Sequence, residues 1–208
     1  MIAKATPTLT EVCETMQVTI NVAKGFNVSL TAAQRGVVRG MAAGVVITII
    51  VLGVGALIQP SGFLLDNPSG RMQVAAIASL APTLALAVCI ARLAAHRFKT
   101  PEDLDGGGLT AGTGKARVLQ ALLQNTLEQL ALALPVYAAW SLLGPPHRLN
   151  MVLAASFLFL AGRLLFFRGY QRGAAGRAFG FALTFYPTVA LLVGTIIFAT
   201  VAGTGIHS

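Results

Sequence analysis

The chain has 208 residues, with 15 Lys+Arg against 7 Asp+Glu, 11% charged residues and a mean hydropathy of +0.75. That composition excludes an ordinary soluble domain and implies one polytopic, all-α bundle of membrane helices. The formal charge of +8 does not indicate nucleic acid as a partner, because the cations sit beside apolar segments, where they orient spans in a membrane.

Residues 1–36 are polar and mixed, with Lys4, Glu11, Glu14 and Lys24. They lack the apolar core of a cleavable signal peptide and are expected to form a loose cytoplasmic leader. Thr31 followed three residues later by Gln34 matches a capping box that opens a helix. The first span covers 37–58, about 33 Å at 1.5 Å per residue. The turn QPSGFLLDNPSGR precedes a second span over 72–95, with a kink expected at Pro82. A loop over 96–114 leads into the third span, 115–143, which contains Pro135. Gly144-Pro145-Pro146 makes a tight turn. The fourth span covers 149–167 and the fifth 177–202, with Pro187 inside it. No internal repeat is present, which argues against a transporter. Cys13 lies in the leader and Cys89 in an apolar span, so both are expected as free thiols. The glycine loop ending Gly114-Lys115 does not match a phosphate loop, which needs glycine where Leu109 stands and Ser or Thr where Ala116 stands.

Five spans place the leader, the 96–114 loop and the 168–177 loop on one side. Arg71 and Arg148 are the only two of the 15 Lys+Arg residues on the other. The positive-inside rule then puts the N-terminus in the cytoplasm and the C-terminus outside. The expected location is a bacterial inner (plasma) membrane.

The third span carries the chemistry. It reads RVLQALLQNTLEQLALAL from Arg117 to Leu134, and Asn125 and Glu128 interrupt an apolar run. A carboxylate at membrane depth is costly unless it is paired or faces a polar cavity. Arg117, Ala121, Asn125 and Glu128 share one helical face, expected to look into protein. Glu128 lies 18 residues before the turn at Pro146 and Arg163 lies 17 after it. Equal depth makes Glu128 and Arg163 the expected ion pair. Tyr170 stands two turns beyond Arg163, and Arg177 begins the fifth span. Such groups also serve as interhelical glue, but Arg, Asn, Glu and Tyr together, with arginines at the rim, favour an anionic ligand.

The segments ARVLQALLQNTLEQL and AGRLLFFRGYQRGAAGR resemble the MAPEG superfamily, the membrane-associated proteins of eicosanoid and glutathione metabolism, across residues 74–203. The resemblance implies a four-helix core over 72–203 with one extra N-terminal helix. It also implies a homotrimer that binds glutathione between protomers near the cytoplasmic face. Asn125 and Glu128 match the family's N-x-x-E glutathione contacts, and Tyr170 matches a tyrosine that holds the peptide. Arg177 matches the arginine that stabilises the thiolate, and Arg163 a structural arginine. Arg97 stands where synthases carry arginines after the first core helix. The chain departs from the pattern at Ala121, where synthases have arginine, and at Phe166 and Gln129, where they have tyrosine. Arg117, one turn from Ala121, is the candidate substitute.

The implied activity is a glutathione-dependent transferase or peroxidase-like enzyme acting on hydrophobic small molecules that arrive from the lipid, with glutathione as co-substrate and no metal. The alternative is a non-catalytic lipid-binding protein or accessory subunit of a larger membrane complex.

Overall fold

The computed structural model describes residues 30–60 and 67–203. Residues 1–29, which hold most of the expected leader and Cys13, lie outside the described residues. Five long helices follow in order. They are α1 (Ala32–Leu57), α2 (Pro68–Lys99), α3 (Gly114–Leu143), α4 (Asn150–Gly169) and α5 (Gly173–Gly203). Short 3-10 turns at Pro101–Asp103, Pro146–Arg148 and Tyr170–Arg172 connect the last four. Among the described residues four stretches are long and apolar enough to cross a membrane, and the last of them, Pro146–Val201, contains both α4 and α5. Gly173, at φ 79°, reverses the chain between these two helices.

Local signals set the helix starts. Thr31 and Gln34 close a reciprocal capping box, with Thr31 N donating to Gln34 Oε1 at 2.8 Å and Gln34 N to Thr31 Oγ1 at 3.2 Å. Asn67 caps α2 by accepting from Gly70 N at 2.6 Å, and Thr113 caps α3 by accepting from Ala116 N at 3.2 Å. Such side chains satisfy the amides that a helix N-terminus leaves open. The first helix therefore begins at Ala32, within the segment expected as leader.

Pro82 and Pro187 are buried within unbroken helices. A proline cannot donate to the carbonyl four residues back, so Pro82 leaves the Ala78 carbonyl without a helical partner. Ser156 Oγ of α4 donates to it at 2.5 Å. The gap in one helix thus becomes a tie to another.

Helix pairing follows small residues, as expected where lipid removes the hydrophobic drive between helices. Along α4 and α5, Gly162 meets Gly180 and Gly169 meets Gly176; a Cβ at Gly162 would lie 2.8 Å from the Gly180 carbonyl. That pairing order makes α4 and α5 antiparallel. On α1, Gly36, Gly40 and Gly44 meet Ala175, Ala178 and Ala182 of α5, so α1 runs parallel to α5. The main core cluster includes Tyr137, Trp140, Val152, Phe159 and Leu191, with Trp140 edge-on to Phe198 at 6.0 Å.

The charged residues separate by end. Arg71 donates to the Ser141 and Gly144 carbonyls at 2.5 Å each, capping the end of α3. At the opposite end stand the last turn of α2 with His96, Arg97 and Lys99, the start of α3 and the start of α5.

The glycine stripe yields a direct test. A Cβ at Gly44 would collide with the Ala182 methyl, whereas nothing lies within 4 Å of one at Gly53. Gly44→Val is expected to cost about 1–3 kcal/mol, read as a lower Tm in detergent, while Gly53→Val leaves the Tm near wild type. Equal Tm values for the two variants would contradict the close packing of α1.

Candidate functional site

Arg163 on α4 is fully buried. A guanidinium only donates, so it needs acceptors, and two neighbouring helices supply them. Nη1 donates to Asn125 Oδ1 of α3 at 2.8 Å, and Nη2 to Thr184 Oγ1 of α5 at 2.6 Å. The Thr184 hydroxyl spends its own proton on the Phe181 carbonyl at 2.8 Å, leaving lone pairs for the cation. The guanidinium carbon also lies 4.4 Å from the Phe166 ring centroid and 5.8 Å from that of Phe159. Nε has no partner.

The expected Glu128–Arg163 pair is therefore corrected. Glu128 is exposed and accepts from Gln124 Nε2 at 3.0 Å. Depth was not the deciding variable. Three residues turn a helix by about 300°, so Glu128 points roughly 60° away from Asn125 and out of the protomer. In addition, α3 packs mainly on α2 and α5 and touches α4 only lightly. Asn125 is the residue of α3 that meets Arg163. With Oδ1 committed to Arg163, the amide NH2 is what Asn125 offers to the cavity it lines.

That cavity has a volume of about 390 Å³. Asn125, Tyr170 and Arg177 line it together with Ala121 and Phe166. The Arg177 guanidinium lies 4.8 Å from the Tyr170 ring centroid, and Tyr170 is edge-on to Phe166 at 5.6 Å. Two rings, Tyr170 and Phe166, thus stand in contact between the two cations Arg177 and Arg163. No acidic side chain lines the cavity. It presents a guanidinium, a phenol and an amide NH2, with a second buried cation behind the amide. Such a donor set suits an anionic ligand bearing carbonyl groups.

Arg97 and Arg117 do not join this group within the chain. They line a neighbouring cavity of about 500 Å³ that shares Ala121, and Arg97 Nη2 donates to Gln120 Oε1 at 3.2 Å. Glu128 lines neither. Asp103 orders the second cavity. It is buried, accepts from Thr113 N and from Thr113 Oγ1 at 2.7 Å each, and stands 3.0 Å from His96 Nε2. The Thr113 hydroxyl and amide hold its carboxyl below the usual carboxylate range, with His96 adding to the effect. Among the described residues no group of three or more His, Cys, Asp or Glu could hold a metal.

Sequence reasoning missed Thr184, the Asp103 clasp, and the presence of α1 residues in the cavity wall. A threonine in an apolar helix carries no distinguishing signal, and contacts between distant segments have none in periodicity.

A family model, that of the MAPEG family, matches residues 72–197. No curated protein and no solved structure matches the chain.

Two tests follow from this geometry. Asn125→Leu and Thr184→Val each strand a buried guanidinium donor and are each expected to cost about 2–3 kcal/mol; Tm values in nanodiscs report both. Equal, negligible shifts would contradict the buried network. For Asp103, a depressed pKa means that the clasp stabilises the fold above the ordinary value near ~3.9 and is lost as pH falls through the lowered value. Acidification below about pH 4 should lower the wild-type Tm more than that of Asp103→Asn. At neutral pH, Asp103→Asn should speed hydrogen exchange at the Thr113 amide.

Proposed function

The chain belongs to the MAPEG family and is an integral membrane protein; on that premise we propose that it is a glutathione-dependent transferase acting on hydrophobic electrophiles. The observation that carries this reading is the single cavity in which Asn125, Tyr170 and Arg177 meet. In it, the Asn125 NH2 and the Tyr170 hydroxyl hold the peptide's carbonyl and carboxylate oxygens, and Arg177 faces the thiol. A free thiol has a pKa near ~8.5 and is mostly protonated at neutral pH. A guanidinium beside it favours the thiolate. The thiolate lone pair forms a carbon–sulfur bond with an electrophilic carbon. A leaving group departs with its bonding pair, or an alkene π pair takes a proton from water.

The same reading makes the protein a homotrimer with the site completed between protomers. Arg117, Gln120, Gln124 and Glu128 form an exposed stripe along α3. Exposed to lipid, such a stripe would be costly; against another copy of the chain it is not. That placement brings Glu128, Arg117 and Arg97 to the ligand from the interface side. The clustering of cations at one end supports a cytoplasmic N-terminus; the bacterial inner membrane is part of the same proposal.

One observation favours the second reading, a lipid-binding or accessory subunit of a larger membrane complex. Ala121 and Phe166 are both apolar in the cavity wall, and Phe166 stacks on Arg163, so the cavity has one guanidinium and one phenol where synthases carry more.

Calorimetry with glutathione separates the two. Binding at millimolar concentration or tighter supports the transferase, and its absence leaves the accessory-subunit reading. Arg177→Ala is expected to lower kcat with a hydrophobic electrophile by ~10²–10³ at unchanged Tm, and to remove the ultraviolet absorbance of bound thiolate at neutral pH.

A further inference from the structure

The family match begins at residue 72, and α1 ends at Leu57, so α1 is an addition to the family core. It nonetheless reaches the candidate cavity. Val37 and Met41, one helical turn apart, line the cavity that holds Asn125, Tyr170 and Arg177. The lining combines polar and apolar groups, the latter including Ala121 and Phe166. Asn125, Tyr170 and Arg177 supply the polar groups; Val37, Met41, Phe181 and Ala178 are apolar as well.

The position of α1 at this cavity is set by backbone contact. Gly36, Gly40 and Gly44 let α1 approach α5 so closely that a Cβ at Gly40 would lie 3.0 Å from Phe179 N. At the other end of α1, Asn150 Nδ2 of α4 donates to the Ile58 carbonyl at 2.8 Å. Two ties at opposite ends fix both the register and the rotation of the helix, and with them the side that Met41 and Val37 present. The cavity volume of about 390 Å³ lies toward the small end of ligand pockets, roughly 300–1,000 Å³. A peptide thiol held by the polar groups leaves the apolar side chains of α1 and α5 to meet the second substrate. Methionine is unbranched and adapts to an irregular chain.

We propose that α1 is the acceptor wall of the site, and that Met41, with Val37, sets the length of apolar electrophile admitted, a class exemplified by unbranched 2-alkenals. This rests on the thiol-transferase reading of the cavity. In the reaction with an alkenal, sulfur bonds to the β-carbon, the π pair moves to the α-carbon, and that carbon takes a proton from water; nothing leaves.

The test uses the full chain in nanodiscs with hexenal, octenal and decenal as electrophiles. Met41→Ala is expected to raise kcat/KM for decenal relative to hexenal by about tenfold, since deleting pocket methylenes shifts discrimination by that order. Met41→Phe shifts the ratio the other way, and Val38→Ala, exposed on the same helix, leaves it unchanged. Glutathione affinity stays at the wild-type value in Val38→Ala. A chain-length profile that stays wild type in both Met41 variants overturns the proposal. A second readout needs no thiol chemistry. With Cys13 and Cys89 replaced by serine, alkylation of Met41→Cys by N-ethylmaleimide is expected to slow in the presence of decanol, while that of Val38→Cys does not. If glutathione fails to bind but decanol still protects position 41, the transferase reading falls, and α1 stands as the wall of an apolar-ligand site without its role in admitting an electrophile. If decanol protects neither position, the wall falls.

Discussion

A guanidinium buried without a carboxylate is the constraint on which this bundle depends. Arg163 cannot leave the interior, because α4 is packed on α5 by glycine contacts on either side of it, at Gly162 and Gly169. Its charge must therefore be met by neutral acceptors and ring faces. Asn125 comes from α3, Thr184 from α5, and Phe159 and Phe166 from its own helix. The cation thereby ties three helices at one level. It also fixes which way the Asn125 amide points, since only the oxygen can face a donor. A charge left without a counter-ion behind the cavity, together with Arg177 in its wall, makes that cavity a place where an anion is favoured.

Close backbone approach decides where α5 lies, and α5 decides where Arg177 lies. On one side glycines of α4 and α5 meet each other; on another, glycines of α1 meet alanines of α5. Larger residues at these positions would push the helices apart and open the cavity between them. Close packing at small residues is what membrane helices use when burial from water no longer drives association. The cavity is thus bounded by helices whose spacing the glycines set, and its polar groups come from elements held at short distance.

The two ends of the bundle use their charges differently. Arg71 is consumed by the carbonyls that close α3. At the other end, Asp103 clasps Thr113 and His96 and so joins the end of α2 to the start of α3. The clasp shapes the second cavity, where Arg97 and Arg117 stand. Its polar rim and the exposed stripe through Glu128 are both on the outside of the bundle.

Length, hydropathy and turn residues sufficed for the helices, because a membrane span is a local property: enough apolar residues in a row, bounded by caps and glycine or proline turns. The capping box at Thr31 was legible for the same reason. The partner of Arg163 was not. Equal depth pointed to Glu128, and only the packing of α3 against α2 and α5, away from α4, turned Asn125 inward and left Glu128 outside. The place of α1 beside the cavity was equally hidden, since it arises from glycines and alanines more than a hundred residues apart. Rotation about a helix axis and the choice of neighbour are long-range outcomes, decided by which small residues let two backbones meet.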